Sequence, residues 1–264
     1  MRLVAPVLAG LIACLLVPLT HGAPQAAVSD LAPTGKLRAA INFGNPVLAS
    51  KDPATGEPRG VSVDLSRELA RRLDVPLEIV TFTAAGKVVE AAKANVWDIA
   101  FVAIDPERAV DMDYSAAYVV IEGAYLVPAG SAIRSHAEVD REGVRVVVGR
   151  GSAYDLFLSR ELKHAQIFRA PTSNTVVDMM LAEHYDVAAG VKQQLEADAR
   201  RLKEVRLLDG RFMVINQAMA TPRGRAAGAR YLAEFVEEMK ASGFVAGALA
   251  RHGIEGAAVA PPGR

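Results

Sequence analysis

The segment from Asp98 to Ile104 restricts the fold more than any other part of the sequence, because its last six residues are all apolar. A strand of this length with two apolar faces must be covered on both of them, as in a parallel sheet flanked by helices. A helical pattern precedes it, since Leu65, Leu69 and Leu73 recur every four residues. The sequence therefore predicts an α/β fold with parallel-rich sheets flanked by helices.

Two series of such units follow one another along the chain. The predicted elements are a strand at 37–42, a helix from Ser62, a strand at 77–82, a helix at 87–94 and a strand at 98–104, then a strand at 144–148, helices at 153–164 and 175–183, and a strand at 186–189. The C-terminal part, extended at 212–220 and mostly helical at 226–252, is typical of a return segment that completes the first series. We therefore expect two lobes joined by two crossovers.

Residues 1–22 have the pattern of a secretory signal peptide, with Arg2 ahead of an apolar run and small residues before the expected cleavage site. This predicts a periplasmic protein. The sole cysteine, Cys14, lies in a segment that resembles a bacterial lipidation site, so a lipid anchor is the alternative. Cleavage after residue 22 would leave the mature chain without cysteine and therefore without a disulfide.

The charge balance and the side-chain inventory exclude several classes of function. Thirty Lys and Arg face thirty Asp and Glu, which gives no electrostatic reason to expect binding to nucleic acid. The five histidines show no metal-ligand spacing, and neither a nucleotide-binding glycine motif nor a nucleophile motif is present. We expect a small-molecule partner and no cofactor or metal.

Two loops could bind an anion where strands end and helices begin. In the first, Asp105-Pro106-Glu107-Arg108, the Arg108 guanidinium could bind a carboxylate in a bidentate way. The alternative is that Arg108 pairs with Asp111 or Asp113 at the surface. In the second, Gly149-Arg150-Gly151-Ser152, Ser152 is placed as a helix N-cap, and simple capping is the alternative to an anion site.

Glu122 is the one acid in the apolar extended stretch Val119-Val120-Ile121-Glu122-Gly123. The pattern leaves two interpretations open, a residue at a sheet edge that faces water and a carboxylate in the cleft near the hinge. Trp97 directly precedes the buried strand and is expected in the core.

Five short motifs give the chain a resemblance to a known family. They are Gly35-Lys36-Leu37-Arg38, Thr55-Gly56 with Gly60-Val61-Ser62-Val63-Asp64-Leu65, Trp97-Asp98-Ile99-Ala100, Asp105-Pro106-Glu107-Arg108-Ala109, and Asp113-Tyr114-Ser115-Ala116-Ala117-Tyr118. Their order and spacing over residues 35–255 resemble those of the periplasmic solute-binding proteins of ABC transporters, in family 3, which includes the polar amino-acid binding proteins.

This resemblance implies a hinged, two-lobed periplasmic-binding-protein fold of type II. Lobe one would comprise residues 31–126 plus 218–258, and lobe two residues 127–217. Arg108 would bind the carboxylate of a ligand held between the lobes, and the closed form would be recognised by a permease in the inner membrane. The resemblance further implies a monomer that binds its solute without chemical turnover.

Departures from the family pattern bear on the solute. Phe101 and Ala103 stand where small or hydroxylated residues help to hold the carboxylate in amino-acid binders, and Val191 stands where an acid grips the α-ammonium. Arg108 with Lys192 suggests an organic acid, either a dicarboxylate or an aromatic acid stacked on Phe101, although Lys192 could equally be a surface residue. The neutral hydrogen-bonding groups are expected to be Asn42, Asn45, Ser152 and Tyr154.

Two other functions share this scaffold. The family resembles periplasmic cyclohexadienyl dehydratase, whose elimination needs a desolvated acid in the cleft, and here Glu122 and Asp105 are the candidates. A sensory module that reports to a receptor is the third class.

Overall fold

A computed structural model describes residues 23–263. Its helices are α1 (Gln25–Leu31), α2 (Val61–Leu73), α3 (Ala85–Ala92), α4 (Ala153–Glu161), α5 (Val176–Ala182), α6 (Lys192–Arg201), α7 (Ala226–Ala241) and α8 (Phe244–Arg251). Its strands are β1 (Leu37–Asn42), β2 (Ser50–Lys51), β3 (Pro58–Arg59), β4 (Leu77–Phe82), β5 (Ile99–Ala103), β6 (Met112–Pro128), β7 (Arg145–Gly149), β8 (Gln166–Ala170), β9 (Val187–Val191), β10 (Val205–Leu207), β11 (Met213–Pro222) and β12 (Ala258–Val259).

The first lobe is built on the parallel strands β4, β1 and β5, in that order across the sheet. Every residue of β5 is buried, as the apolar run predicts. Helix α2 covers one face with Leu65, Leu69 and Leu73, and it ends at Asp74, which adopts the left-handed conformation with φ 54°. Its four-residue apolar repeat therefore forms the buried stripe that the sequence predicts.

The second lobe repeats this plan with the parallel strands β9, β7 and β8. Its own core forms where Val147 and Ala188, on neighbouring strands, pack with Met180 of α5 and Leu195 of α6. Each lobe is therefore a parallel sheet flanked by helices. The loops that follow the parallel strands of each lobe face the cleft between the lobes.

Two long strands run from one lobe to the other. Strand β6 spans 17 residues and pairs antiparallel with both β11 and β9. Strand β11 lies between β5 and β6, so the C-terminal segment completes the first lobe. The two-lobed α/β fold with two crossovers is confirmed, whereas the lobe boundaries at residues 126/127 and 217/218 stay a prediction.

A buried carboxylate fastens the first lobe. Asp98 is fully buried and accepts hydrogen bonds from the Arg38 side chain at 2.9 and 2.8 Å and from Arg225 at 2.8 Å. The start of β5 is thus joined to β1 and to the residue before α7. Beside it, Trp97 is buried as expected, and its indole donates to the Val88 carbonyl at 2.9 Å.

The elements differ from the sequence prediction in a few places. The segment after Asp105 forms only a three-residue 3₁₀ turn, Arg108–Val110, and not a longer helix. The predicted helix at 226–252 is divided at Gly243, which has φ 78°. The signal peptide and the Cys14 alternative lie outside the described residues. Within residues 23–263, the helices are too short or too polar to span a bilayer.

Replacing the buried Asp98 by alanine should lower the free energy of unfolding by about 3–5 kcal/mol, because two partly buried guanidinium groups would lose their counter-charge. Asp111→Ala is the control, since its Lys93 partner is 74% exposed and such a pair contributes less than about 1 kcal/mol. Urea denaturation of both variants measures the difference, and equal losses would contradict the role given to Asp98.

Candidate functional site

A cavity of about 40 Å³ lies between the lobes, where the carboxyl ends of the central strands meet. Asn42 ends β1, Ala103 ends β5 and Val191 ends β9, and all three line the cavity. This is the edge at which open α/β sheets bind their ligands. This volume is small beside the roughly 150 Å³ of a cavity that accommodates benzene, so the lobes are nearly in contact.

Eight of the ten predicted site residues line this cavity. From the first lobe come Asn42, Asn45, Phe101, Ala103 and Arg108, and from the second come Ser152, Tyr154 and Val191. The other two, Glu122 and Lys192, lie outside the lining.

Arg108 is the one charged residue of the lining within the described chain, and only 3% of its surface is exposed. Its terminal nitrogens donate to the Ala103 carbonyl at 3.2 Å and to the Gly151 carbonyl at 2.8 Å. Its Nε has no hydrogen-bond partner among residues 23–263. Burial lowers the pKa of Arg108, although an arginine side chain stays protonated in proteins.

The acids near Arg108 in sequence are engaged elsewhere. Asp111 pairs with Lys93 and Asp113 with Arg223, so the surface-pair interpretation of Arg108 is not what the structure has. The first-lobe loop is held instead by Arg160 of α4, which bonds Asp105 and Glu107 at 2.8 Å each.

These two ion pairs cross the cleft, because Arg160 belongs to the second lobe. Together with the bond from Arg108 to Gly151, they hold the mouth of the cleft closed on that side.

The second-lobe loop, Gly149 to Ser152, is shaped by two glycines and two side chains. Ser152 caps α4 by accepting from the Asp155 amide at 3.0 Å, as predicted. The Asp155 carboxylate in turn accepts from the Gly151 amide at 2.8 Å. Gly151 has φ 66°, and an added Cβ there would lie 2.9 Å from the Gly86 Cα of the first lobe. The lobes therefore touch backbone to backbone at this glycine.

Two further buried polar atoms in the lining have no well-aligned hydrogen bond within the described chain, the Asn45 Oδ1 and the Tyr154 hydroxyl. Burial raises the pKa of Tyr154, and the nearby Ser173 and Ser152 hydroxyls oppose part of that effect. Asn42, in contrast, is used locally, because its Oδ1 accepts from the Gly44 amide at 2.9 Å. The cavity wall thus offers a cation, a neutral acceptor and a hydroxyl.

Glu122 and Lys192 form an ion pair of 3.2 Å near the crossover strands. Arg211 also binds Glu122, and its hydrogen bond, with that of Lys192, holds the pKa of Glu122 below its usual value. Glu122 is therefore a charged, paired residue and not a desolvated acid in the cleft. Phe101 meets Tyr118 edge to face, with ring centroids 5.9 Å apart.

Three polar lining residues were not predicted, namely Ser62, Ser173 and Gln217. Gln217 could have been found from the sequence, because it is a polar residue in the stretch 212–220 that is predicted to be extended. In the structure it is paired with Ala103 at the end of β5. Ser173 lies in a turn after β8, a strand that the sequence pattern does not reveal. Among residues 23–263, no group of three His, Cys, Asp or Glu side chains could hold a metal ion.

The chain belongs to the bacterial extracellular solute-binding proteins, family 3, whose model matches residues 37–253. No curated protein sequence matches it significantly.

Solved structures of similar fold confirm the type II periplasmic-binding-protein architecture. A solute receptor for L-cysteine of Neisseria gonorrhoeae has a TM-score of 0.75 at 20% identity, covering 85% of this chain and 92% of that one. A mutant of ArgBP from T. maritima has a TM-score of 0.74 at 19% identity, covering 87% and 100%. The ancestral amino acid-binding protein AncCDT-1, a precursor of cyclohexadienyl dehydratase, has a TM-score of 0.72 at 21% identity, covering 85% and 98%.

Gly151→Ala should keep the lobes further apart, because the added methyl group would collide with the Gly86 backbone. We expect a larger radius of gyration in small-angle X-ray scattering. Gly143→Ala is the matched control, since Gly143 also has a positive φ, 83°, but has open space around it. If both variants scatter like the parent chain, the backbone contact does not limit closure.

Proposed function

We propose that this protein is the extracytoplasmic substrate-binding component of an ABC importer and that it captures a small carboxylate-bearing solute between its lobes. In this proposal the first lobe comprises residues 31–126 plus 218–258 and the second residues 127–217. The mature, monomeric chain acts in the periplasm after removal of residues 1–22, and its closed form docks on an inner-membrane permease. Its membership of the solute-binding family supports this role.

One observation carries the carboxylate assignment, the burial of Arg108 at the cavity wall without a carboxylate partner in the described chain. Leaving an isolated charge in a dry site costs several kcal/mol. An anion that enters the cavity would supply the missing counter-charge, and the guanidinium fork suits a carboxylate.

Closure follows from the same geometry. Arg108 belongs to the first lobe, yet it donates to Gly151 of the second lobe, so a solute bound to its guanidinium sits where the lobes meet. The ion pairs of Arg160 with Asp105 and Glu107 cross the cleft, so they stabilise the closed form only. A ligand that contacts both lobes shifts the population towards closure by its differential affinity for that form.

The test is a thermal-shift screen of the mature chain against mono- and dicarboxylates and amino acids, followed by calorimetry on the hits. Ligand binding to the folded state raises the melting temperature by mass action. In Arg108→Gln, which keeps amide donors near the two carbonyls, we expect a loss of about 2–5 kcal/mol in binding free energy. Folding should be little affected, since the variant removes a buried charge.

Arg150→Gln is the control, because Arg150 is an exposed arginine in the facing loop. Its ligand affinity should equal that of the parent. A carboxylate that binds equally well to the parent and to Arg108→Gln would show that the site has been assigned to the wrong residue.

Enzymatic elimination receives no support from the cleft. Both acids considered for it, Glu122 and Asp105, lie outside the cavity lining and are paired with basic side chains. The ancestral neighbour AncCDT-1 shows that the fold is related to a dehydratase, so incubation with prephenate or arogenate, followed by product analysis, is the direct check. Turnover of either would replace the binding role.

A further inference from the structure

The charges of the cavity lining also restrict which other groups the solute can carry besides its carboxylate. Within the described residues that line the cavity, Arg108 carries the only formal charge, and none of the others is acidic. Val191 is an aliphatic residue at the end of β9, and the acids nearest the cleft, Asp105 and Asp155, are occupied by Arg160 and Arg169. A positive group on the solute would therefore be buried beside a buried cation, with no counter-charge.

The unpaired polar atoms of the lining indicate which hydrogen-bond donors and acceptors the solute should carry. The Arg108 Nε needs an acceptor, which a carboxylate oxygen supplies. The Asn45 Oδ1 is an acceptor without a donor in the described chain, so it needs an N–H or O–H. Because the described residues of the lining include no acid, an uncharged donor is favoured. The Tyr154 hydroxyl can donate or accept. A carboxylate that carries a hydroxyl offers both an acceptor and a donor to such atoms without adding a positive charge.

We propose that the solute is a small hydroxycarboxylate and not an α-amino acid, with Arg108 binding the carboxylate and the Asn45 side chain accepting from the hydroxyl. This inference rests on the proposed function, since it needs a carboxylate in the cleft. It makes Asn45 the residue that selects between a hydroxyl and an ammonium at the same carbon.

The size of the cavity favours short acids. At about 40 Å³ in this closed form, the cavity is smaller than the roughly 150 Å³ that accommodates a benzene molecule. The lobes must open for any organic acid, and two- to four-carbon solutes require the least separation.

The test compares matched triads that differ at one group, measured by isothermal titration calorimetry on the mature chain. The triads are glycolate, glycine and acetate; lactate, alanine and propionate; malate, aspartate and succinate; and phenyllactate, phenylalanine and phenylpropionate. Within the triad that binds, we expect the amino acid to bind at least about 100-fold more weakly than the hydroxy acid. The unsubstituted acid should bind about five- to tenfold more weakly, for one lost hydrogen bond.

Two variants of Asn45 test whether this residue distinguishes a hydroxyl from an ammonium group on the solute. Asn45→Ala should reduce the hydroxy acid to the affinity of the unsubstituted acid and leave the latter unchanged. Asn45→Asp places a carboxylate at the same position, so the ratio of amino-acid to hydroxy-acid affinity should rise at least tenfold. Asn216→Asp, an exposed change of the same charge, should leave that ratio as it is.

The outcomes separate this inference from the proposed function. An amino acid that binds the parent chain as tightly as its hydroxy partner, with affinity still dependent on Arg108, would overturn the hydroxycarboxylate assignment and leave the carboxylate-binding role in place. Binding of no carboxylate in any triad or in the wider screen would overturn both. If the preference for the hydroxy acid remains in Asn45→Ala, Asn45 is not the residue that selects the solute.

Discussion

A guanidinium withdrawn from water, which forms no ion pair within residues 23–263, is the feature on which the cleft depends. The Arg108 side chain is held in place by two backbone carbonyls, one from each lobe. Carbonyl dipoles orient the charge but do not neutralise it. Elsewhere in the first lobe, the buried Asp98 is paired with two arginines, whereas Arg108 forms no ion pair within the described chain.

The fold could be predicted because its signals are periodic and local. The five buried residues of β5 and the four-residue repeat of α2 each appear in the sequence as an apolar pattern, and the structure confirms both. Helix α6 was missed, because its residues are mostly polar and only Leu195 and Asp198 are buried. Strand β8 was missed for a related reason, since its exposed and half-buried residues show no clear alternation.

The candidate site could be predicted only where a loop follows a recognisable strand. Asn42 and Ala103 lie at or near the ends of strands that the apolar patterns predict, and both line the cavity. Val191 also lines it, but it lies beyond the predicted strand at 186–189 and was indicated by the family resemblance. Lys192 directly follows Val191, yet it points to Glu122, because the direction of a side chain at a helix start depends on the tertiary contacts. The partners of Arg160 could not be predicted either, since they lie more than 50 residues away in the sequence.

The position of β11 has a consequence for the order of assembly. This strand inserts between β5 and β6, and it is the last long strand to be synthesised. A nascent chain that ends before residue 213 would hold every strand of the second lobe, yet it would present the backbone edges of β5 and β6 without their shared neighbour. Exposed strand edges invite pairing with other chains. The first lobe, although its sequence begins the domain, is therefore the half whose folding must wait for the carboxyl terminus.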